Sequence, residues 1–293
     1  MGRTIEFIVN PIAGPKDNLK FCQVLNRKLK ESGVKFNSEL TESQGHAYEM
    51  AREKMNQPGN LIVSVGGDGT FNEVASALVN TPIRLAHIPR GSGNGLARML
   101  KLPGRIDKIP TYLCKGVCRT IDAGAINNHY FFCTCGFGFD ALIAHHFATS
   151  KQRGLKSYVW YVLNKFFNFK GIEASFKLDG EKFDGNFFAV TIANANQYGN
   201  DAFIAPLADV EDEMLDVTMI RPFPRWYTPV MAVALFGKWI HKTPYVETRQ
   251  VKKVEIQSVS APYFHRDGDV YEPEFPAQIS VLPNALRLLV PMN

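Results

Sequence analysis

The chain has 293 residues, 45% of them hydrophobic, which is enough for one large domain or two ordinary domains with their own cores. Its 33 basic and 28 acidic residues give a formal net charge of +5. This mild excess differs from the basic stripe of a nucleic-acid-binding protein. The composition excludes a predominantly disordered chain and predicts no nucleic-acid partner.

Strand-like and helix-like patterns alternate through the N-terminal third of the chain. Short runs rich in β-branched residues are each followed by a segment with helical spacing of apolar residues. The pairs are 4–9 with 18–30, 34–40 with 45–55, 61–65 with 70–78, and 84–88 with 93–100. This alternation predicts a Rossmann-like parallel sheet with helices on both faces.

After about residue 120 the pattern becomes strand-rich. Apolar runs separated by turn residues lie at 186–193, 215–220, 251–257 and 277–282. The aromatic segment 151–170 interrupts them and is interpreted as helical. We therefore expect an α/β domain over residues 1–122 and a β-rich domain over residues 123–283.

Cysteine usage indicates a reducing compartment, and the hydropathy pattern indicates neither export nor a membrane-spanning segment. Cys133 and Cys135 alternate in an apolar run, which favours buried, reduced thiols. The N-terminus lacks the apolar core of a secretory signal. The uncharged stretch 226–237 is far shorter than the roughly 20 residues that span a bilayer. We expect a cytoplasmic protein whose membrane contact is peripheral.

The strongest motif is a glycine-rich loop, Gly66-Gly67-Asp68-Gly69-Thr70, between a predicted strand and a predicted helix. Glycines let backbone amides approach a ligand, and a helix N-terminus adds positive potential, so the loop suits phosphate. A tight turn would explain the glycines but gives no reason for Asp68. A carboxylate in an anion-binding loop repels the ligand unless it meets a hydroxyl group or a metal-bound phosphate.

Two further loops follow neighbouring strands. One reads Pro89-Arg90-Gly91-Ser92-Gly93-Asn94 and the other Asn10-Pro11-Ile12-Ala13-Gly14. The carboxyl ends of parallel strands lie at one edge of a sheet, where ligands bind in open α/β folds. Arg90, Ser92 and Asn94 are therefore candidates for phosphate or sugar contacts, with a simple helix cap as the alternative for Asn94. The chain contains no P-loop motif.

These motifs, with Gly136-Phe137-Gly138-Phe139-Asp140, resemble the diacylglycerol kinase catalytic-domain family, which includes bacterial lipid kinases and sphingosine and ceramide kinases. The resemblance covers nearly the whole chain. It implies an N-terminal domain of the NAD kinase/diacylglycerol kinase type, a C-terminal β-sandwich, and ATP with Mg²⁺. It also suggests that residues 284–293 return to the first domain.

By motif match, the resemblance implies a set of nucleotide-binding residues. These are Asn10, Pro11, Gly14, Thr41, Gly66, Gly67, Asp68, Gly69, Thr70, Asn72, Ser92 and Asn94. Asp68 is also a catalytic candidate. Thr41 precedes a Gly-His-Ala element and would otherwise be interpreted as a helix cap. Lys156 resembles a lysine that reaches the nucleotide, although a surface lysine explains it nearly as well.

Two acidic segments later in the chain also match the family. Arg266-Asp267-Gly268-Asp269 resembles an Asp-Gly-Glu motif, so Asp267 would be the general base for a lipid hydroxyl and Asp269 would support the nucleotide or magnesium. Asp-Gly is also a common hairpin turn. The segment Asp209 to Asp216 resembles a structural magnesium site, with Asp212 as the main ligand beside Asp209 and Met214. Glu213 stands there in place of the usual glycine.

The sequence leaves the substrate and the interaction surfaces open. The acceptor would be a lipid alcohol, either diacylglycerol or a sphingoid base. The sequence is compatible with a homodimer. Aromatic residues interleaved with Arg and Lys in 151–170 and 221–242 suit either an anionic membrane surface or an ordinary core. The alternatives are an NAD kinase, which would not explain the loops at Asn10 and Ser92, and a non-catalytic nucleotide- or lipid-binding module.

Overall fold

The computed structural model describes residues 4–14, 18–55, 61–149, 165–166, 168–260, 263–272 and 274–292. The chain forms two compact units. The first comprises Met1–Ala123 and Leu282–Asn293, and the second comprises Gly124–Val281.

The first unit is an α/β domain built on parallel strands. Its elements are β1 (Ile5–Val9), α1 (Asn18–Glu31), β2 (Phe36–Leu40), α2 (His46–Lys54), β3 (Leu61–Gly66), α3 (Asp68–Leu78), β4 (Arg84–Pro89), α4 (Gly95–Met99), α5 (Ile109–Lys115) and the first part of β5 (Val117–Ile126). The parallel strands follow the order β2-β1-β3-β4. Every residue of β1 and β3 is buried, as expected when helices cover both faces.

The second unit is an antiparallel β-sandwich-like domain. Its further elements are β6 (His129–Phe131), β7 (Thr134–Gly138), α6 (Phe139–Thr149), β8 (Ile172–Leu178), β9 (Glu181–Phe187), β10 (Ala189–Ala193), β11 (Leu215–Ile220), α7 (Thr228–Phe236), β12 (Val246–Val251), β13 (Lys253–Val259), β14 (Phe264–Arg266), β15 (Asp269–Tyr271) and β16 (Ala277–Val290). One sheet has the order β12-β11-β10-β7-β14-β15. The other contains β13, β8, β9 and the start of β16. The sheets share a core that includes Phe137, Val217, Phe176 and Val254.

Strand β16 contributes to both units. Its start pairs antiparallel with β13, through partners such as Ile279 and Val254. Its end pairs parallel with β4, where Arg287 lies opposite Arg84. The final strand of the chain therefore joins the parallel sheet of the first unit.

The predicted α/β and β-sandwich classes are confirmed, but two predicted strands are wrong in detail. The run 251–257 is divided by a turn at Lys252 into β12 and β13, and the run 186–193 is interrupted at Phe188. At Phe188, the backbone N–H donates to Ile220 O at 2.7 Å, while its carbonyl accepts the Phe139 N–H at 3.0 Å. Apolar composition alone does not reveal such tertiary interruptions.

Candidate functional site

Three loops lie at the carboxyl edge of β1, β3 and β4. They are the first loop (residues 10–14), the second loop (66–70) and the third loop (90–94). The second and third loops approach so closely that a Cβ on Gly91 would lie 2.7 Å from Gly67 Cα. Gly14 has φ +82°, and a Cβ there would overlap the Arg90 carbonyl oxygen. Close backbone contact explains the glycines at these positions.

Asp68 joins the second loop to the third. It lies in the first turn of α3, where a negative charge suits the helix dipole. Its Oδ2 accepts the Asn94 N–H at 2.8 Å and its Oδ1 accepts the Gly95 N–H at 3.2 Å. The Arg90 N–H also donates to Gly66 O at 2.7 Å. The Asp68 carboxylate therefore fixes the start of α4 against the start of α3.

The first loop is tied to the other two through side-chain amides. Asn10 Nδ2 donates to Thr70 Oγ1 at 3.0 Å, and Asn18 Nδ2 donates to Asn10 O at 2.6 Å. Arg90 Nε then donates to Asn18 Oδ1 at 3.1 Å, with its guanidinium 3.9 Å from the centre of the Phe21 ring. The three predicted loops thus form one connected network.

One buried acceptor in this network is suited to a ligand. Asn94 adopts a left-handed conformation, with φ +52°, and its Nδ2 donates to Gly91 O at 2.6 Å. Its Oδ1 is buried and has no hydrogen-bond partner among the described residues. A buried acceptor costs free energy unless a donor reaches it. A ribose hydroxyl or an adenine amino group would supply that donor, so the loops fit a nucleotide.

The other predicted nucleotide residues lie near this edge of the first unit. Thr41 is buried, and its N–H donates to Val9 O at 2.8 Å. The element after Thr41 is held by Glu73 of α3, which accepts the Gly45 and Ala47 N–H groups at 2.9 and 3.2 Å. Asn72 accepts a hydrogen bond from Ser76 Oγ at 3.3 Å, and Ser92 is exposed. Lys156 lies outside the described residues.

An uncharged histidine supports the strand that carries the third loop. Burial lowers the pKa of His87 to about 3. Its Nδ1 lies 2.8 Å from Ser64 Oγ on the neighbouring strand, and its ring meets Phe71 edge-on with centroids 5.0 Å apart. The His87 side chain is therefore uncharged at physiological pH.

In the second unit, Asp267 occupies the turn of the β14–β15 hairpin. Asp267 and Gly268 both have positive φ, +49° and +90°, as an Asp-Gly hairpin turn requires. The Asp267 carboxylate accepts the Phe132 N–H through Oδ2 at 2.9 Å, and the Cys133 and Thr134 N–H groups through Oδ1 at 2.8 and 3.1 Å. The carboxylate is thereby fixed in one orientation. Asp269, at the start of β15, is exposed.

Sequence reasoning missed a buried polar cluster beside this hairpin. Asp140 Oδ2 accepts hydrogen bonds from Thr191 Oγ1 at 3.0 Å and Tyr198 Oη at 2.8 Å, and lies 3.1 Å from His265 Nε2. Burial alone would raise the pKa of Asp140, but His265 and the hydrogen bonds outweigh it and lower that pKa. In the sequence, only the position of Asp140 at the end of the Gly-Phe-Gly-Phe-Asp motif pointed to this cluster.

A buried thiol, Cys135, lies within the electrostatic influence of both this cluster and the hairpin. Cys135 is fully buried, and its pKa is raised well above the usual value by burial, with Asp267 and Asp140 both contributing. Cys133 is also buried, as the sequence predicted.

The predicted structural metal loop precedes β11. Asp212 Oδ1 accepts the Met214 N–H at 3.0 Å, and Asp209 Oδ1 accepts the Glu211 N–H at 3.2 Å. Glu213 has φ +61°, so it adopts the left-handed conformation that a glycine would favour. Gln250 Nε2 donates to Asp212 Oδ2 at 3.0 Å and lies 3.5 Å from Asp216 Oδ2.

The charge on this loop suits a hard cation. Burial, and then the charge of Asp212, raises the pKa of Asp216 to about 6 despite the Gln250 hydrogen bond. Carboxylate and backbone carbonyl oxygens are the ligands that Mg²⁺ prefers. No group of three or more His, Cys, Asp or Glu side chains with metal-binding geometry occurs in the described part of the chain. An ion held by one side chain and neighbouring carbonyls remains compatible with the residues present.

The aromatic segments divide between core and surface. Phe166 is half-buried and contacts Phe139, Phe188 and Phe223, with ring centroids 5.4–5.7 Å apart. Trp226, by contrast, is 73% exposed. Trp160, Tyr161 and Phe167 lie outside the described residues. Within the described part of the chain, no helix is long and apolar enough to cross a bilayer.

Comparison with known proteins accounts for both units. Residues 4–126 match the model of the diacylglycerol kinase catalytic domain, and residues 133–290 match the YegS C-terminal NAD kinase beta sandwich-like domain. The chain is 25% identical to a diacylglycerol kinase of Bacillus subtilis, over 97% of this chain and 95% of that protein. It is 27% identical to a diacylglycerol kinase of Mycobacterium tuberculosis, over 98% and 94% of the two chains.

A solved structure supports the fold. The crystal structure of a diacylglycerol kinase from Bacillus anthracis superimposes with a TM-score of 0.75 at 18% identity, covering 99% of this chain and 97% of that chain. Both units thus match the same kind of protein in sequence and in fold. The chain belongs to the diacylglycerol kinase catalytic-domain family of lipid kinases.

Proposed function

We propose that the protein transfers the γ-phosphoryl group of ATP to the hydroxyl of a lipid alcohol, either diacylglycerol or a sphingoid base. Membership of a lipid kinase family supports phosphoryl transfer to a lipid, and the relatives named diacylglycerol kinase favour diacylglycerol. We assign the nucleotide to residues 1–122 with 284–293, and the lipid to residues 123–283.

The observation that carries the proposal is the connected network of three loops around Asp68. Phosphoryl transfer requires mainly positioning and charge stabilisation from a protein. Asp68 holds the amide-rich starts of α3 and α4 in a fixed relation, and Asn94 Oδ1 offers a buried acceptor. The loops thereby position the phosphates, while Thr41, Asn72 and Ser92 complete the nucleotide contacts.

Asp267 is proposed to orient the acceptor hydroxyl. Three backbone N–H groups hold its carboxylate, so it cannot rotate away from a hydroxyl that approaches it. Such orientation lowers the entropic part of the barrier, and acceptance of the hydroxyl proton adds general-base catalysis. Asp269 supports the nucleotide or its metal from the same hairpin.

Magnesium enters this proposal at two places. Mg²⁺ bound with ATP would neutralise charge on the phosphates. A second, structural Mg²⁺ would be held by Asp212 with Asp209 and the Met214 carbonyl, where the charge on the loop suits it. The protein would act as a peripheral protein at the cytoplasmic face of a membrane. The proposal is compatible with either a monomer or a homodimer.

The test is incubation with γ-labelled ATP and Mg²⁺ in detergent micelles that carry diacylglycerol, sphingoid base, ceramide or monoacylglycerol, followed by organic extraction and chromatography. NAD is included as a competing acceptor. We expect label in diacylglycerol or in a sphingoid base. Label in NAD alone, or in no acceptor at all, would contradict the proposal.

A further inference from the structure

Helix α7 packs one face into the second unit. Met231 and Ala234 are buried, and they join a core cluster with Ala189 of β10 and Ile220 of β11. The Phe203 N–H also donates to Leu235 O at 3.0 Å, near the end of the helix. The helix is therefore fixed to the domain by its inner face.

The opposite face of α7 and the turn before it expose an apolar row, which we call the α7 face. It consists of Trp226, Pro229, Val233 and Phe236. Trp226 is 73% exposed, Val233 62% and Phe236 59%. Their spacing of three, four and three residues places them along one side of a helix. A contiguous row of large exposed apolar side chains marks an interaction surface.

The charged side chains in the segment that carries the α7 face have one sign. Residues 217–246 contain two arginines and two lysines but no Asp or Glu. Arg225 lies before the helix, and Lys238 and Lys242 lie after it, all three exposed. Lys238 Nζ lies 4.3 Å from the centre of the Phe203 ring, so its stem runs along apolar surface. Cations therefore flank both ends of the apolar row.

This charge pattern favours an anionic lipid surface over a second copy of the chain. A two-fold contact through the α7 face would oppose cationic ends with no carboxylate from residues 217–246 to pair them. Anionic headgroups would pair with these cations while the aromatic side chains enter the acyl boundary. A helix of nine residues is about 14 Å long. It therefore suits a position in the plane of the interface and not across a bilayer.

We infer that the α7 face docks the protein on an anionic membrane surface, with Trp226, Val233 and Phe236 inserted and Arg225, Lys238 and Lys242 at the headgroups. This inference deepens the proposed function, because a lipid acceptor resides in such a surface. It names one specific surface and does not depend on the chemical step.

The test is flotation of the protein with vesicles of phosphatidylcholine containing about one-third phosphatidylglycerol, without nucleotide. The variant Trp226→Ser with Phe236→Ser should bind about thirtyfold more weakly. The matched control, Val117→Ser with Met292→Ser, removes exposed apolar side chains from the first unit and should bind as the wild type does. All four substituted side chains are at least 48% exposed, so the thermal unfolding midpoints should agree.

A charge variant separates insertion from headgroup attraction. Arg225→Gln with Lys242→Gln should weaken binding to the anionic vesicles about twentyfold, and it should leave binding to pure phosphatidylcholine unchanged. Light scattering on the wild type and the variants without vesicles tests whether a second copy of the chain covers the α7 face instead.

Unchanged vesicle binding by the Trp226/Phe236 variant would overturn the inference, as would an equal loss in the Val117/Met292 control. Conversion of a dimer into a monomer with vesicle binding intact would overturn it too. Flotation without phosphorylation of any lipid would remove the proposed reaction and leave the docking surface. Phosphorylation without flotation would remove the docking surface alone.

Discussion

Two hairpins of the second unit have nearly the same construction, but only one of them carries a predicted catalytic residue. Asp179-Gly180 joins β8 to β9, and Asp267-Gly268 joins β14 to β15. The φ values are +46° and +93° in the first turn, and +49° and +90° in the second. Each aspartate also donates its own N–H to a carbonyl of the contacted segment, at 3.0 Å to Lys253 O and at 2.8 Å to Thr134 O.

The two carboxylates bind backbone amides in the same manner. Asp179 accepts the Lys252 and Lys253 N–H groups at 2.8–3.2 Å, as Asp267 accepts three N–H groups at 2.8–3.1 Å. The difference is the environment, because Asp179 is exposed whereas Asp267 is half-buried beside Cys133 and Cys135. An Asp-Gly turn clamped to amides is therefore a structural device that, by itself, does not identify a catalytic residue.

Replacing each of the two aspartates separately by asparagine should give the largest change in activity and should distinguish a catalytic role from a structural one. In Asp267→Asn, one carboxylate oxygen becomes an NH₂ group facing a backbone N–H. This should cost about 2 kcal/mol of stability and about three orders of magnitude in turnover. Asp179→Asn introduces the same clash and should cost about 1 kcal/mol because its site is exposed. Its lipid phosphorylation should stay within about twofold of wild type.

Initial rates of lipid labelling and urea unfolding of both variants check this prediction. If Asp267→Asn lowers turnover no more than Asp179→Asn does, the hairpin at Asp267 is only a structural clamp.

Asp216 differs from Asp179 and Asp267 because its carboxylate accepts no backbone N–H among the described residues. Its pKa is about 6, so between about pH 4 and pH 6 the folded protein binds a proton that the unfolded chain has lost. Stability from this group therefore falls as the pH rises through that window, by about 3 kcal/mol. The stability of Asp216→Asn relative to wild type should rise by this amount between pH 4 and pH 7.5.

Urea unfolding at the two pH values without divalent cations measures this change. Added Mg²⁺ at pH 7.5 should stabilise the wild type and narrow the difference if the loop at Asp212 binds the ion. A difference between the two proteins that does not vary with pH would contradict the assignment.

The glycines of the two turns give the smallest expected effect. Gly180 and Gly268 both have φ near +90°, and a Cβ on either would meet no atom within 4 Å. Alanine at either position should therefore cost about 1 kcal/mol, through backbone strain alone. Only Gly268→Ala should reduce lipid phosphorylation, because it displaces Asp267. Equal turnover in the two variants, measured beside their thermal unfolding, would show that the position of Asp267 is not critical.

The fold of the first unit could be predicted from local patterns. The apolar spacing of Leu19, Cys22, Leu25 and Leu29 indicated α1; the last three side chains are buried, whereas Leu19 is 48% exposed. The three loops could be predicted to meet because parallel strands end at one edge of a sheet. The hydrogen bonds from the Asn94 and Gly95 N–H groups to Asp68 could not be predicted, because a sequence motif does not show which backbone N–H groups a carboxylate binds.

The second unit was less predictable because its turns depend on distant segments. The turn at Lys252 that separates β12 from β13 is bound by Asp179, over 70 residues earlier in the chain. The cluster of Asp140, Thr191, Tyr198 and His265 likewise draws on four separate segments. Helix α7 contains no charged residue, so composition could not distinguish its buried face from its exposed one.

The role of Asp68 in phosphoryl transfer is tested by the rate at which Asp68→Asn labels lipid from γ-labelled ATP. The control is Asp107→Asn, an exposed aspartate of the same unit that pairs with Arg105 at 3.2 Å. We expect Asp68→Asn to lower the rate about 1,000-fold and Asp107→Asn to leave it within about twofold of wild type. A rate for Asp68→Asn within about twofold of wild type would show that the three-loop network around Asp68 is not the phosphoryl-transfer site.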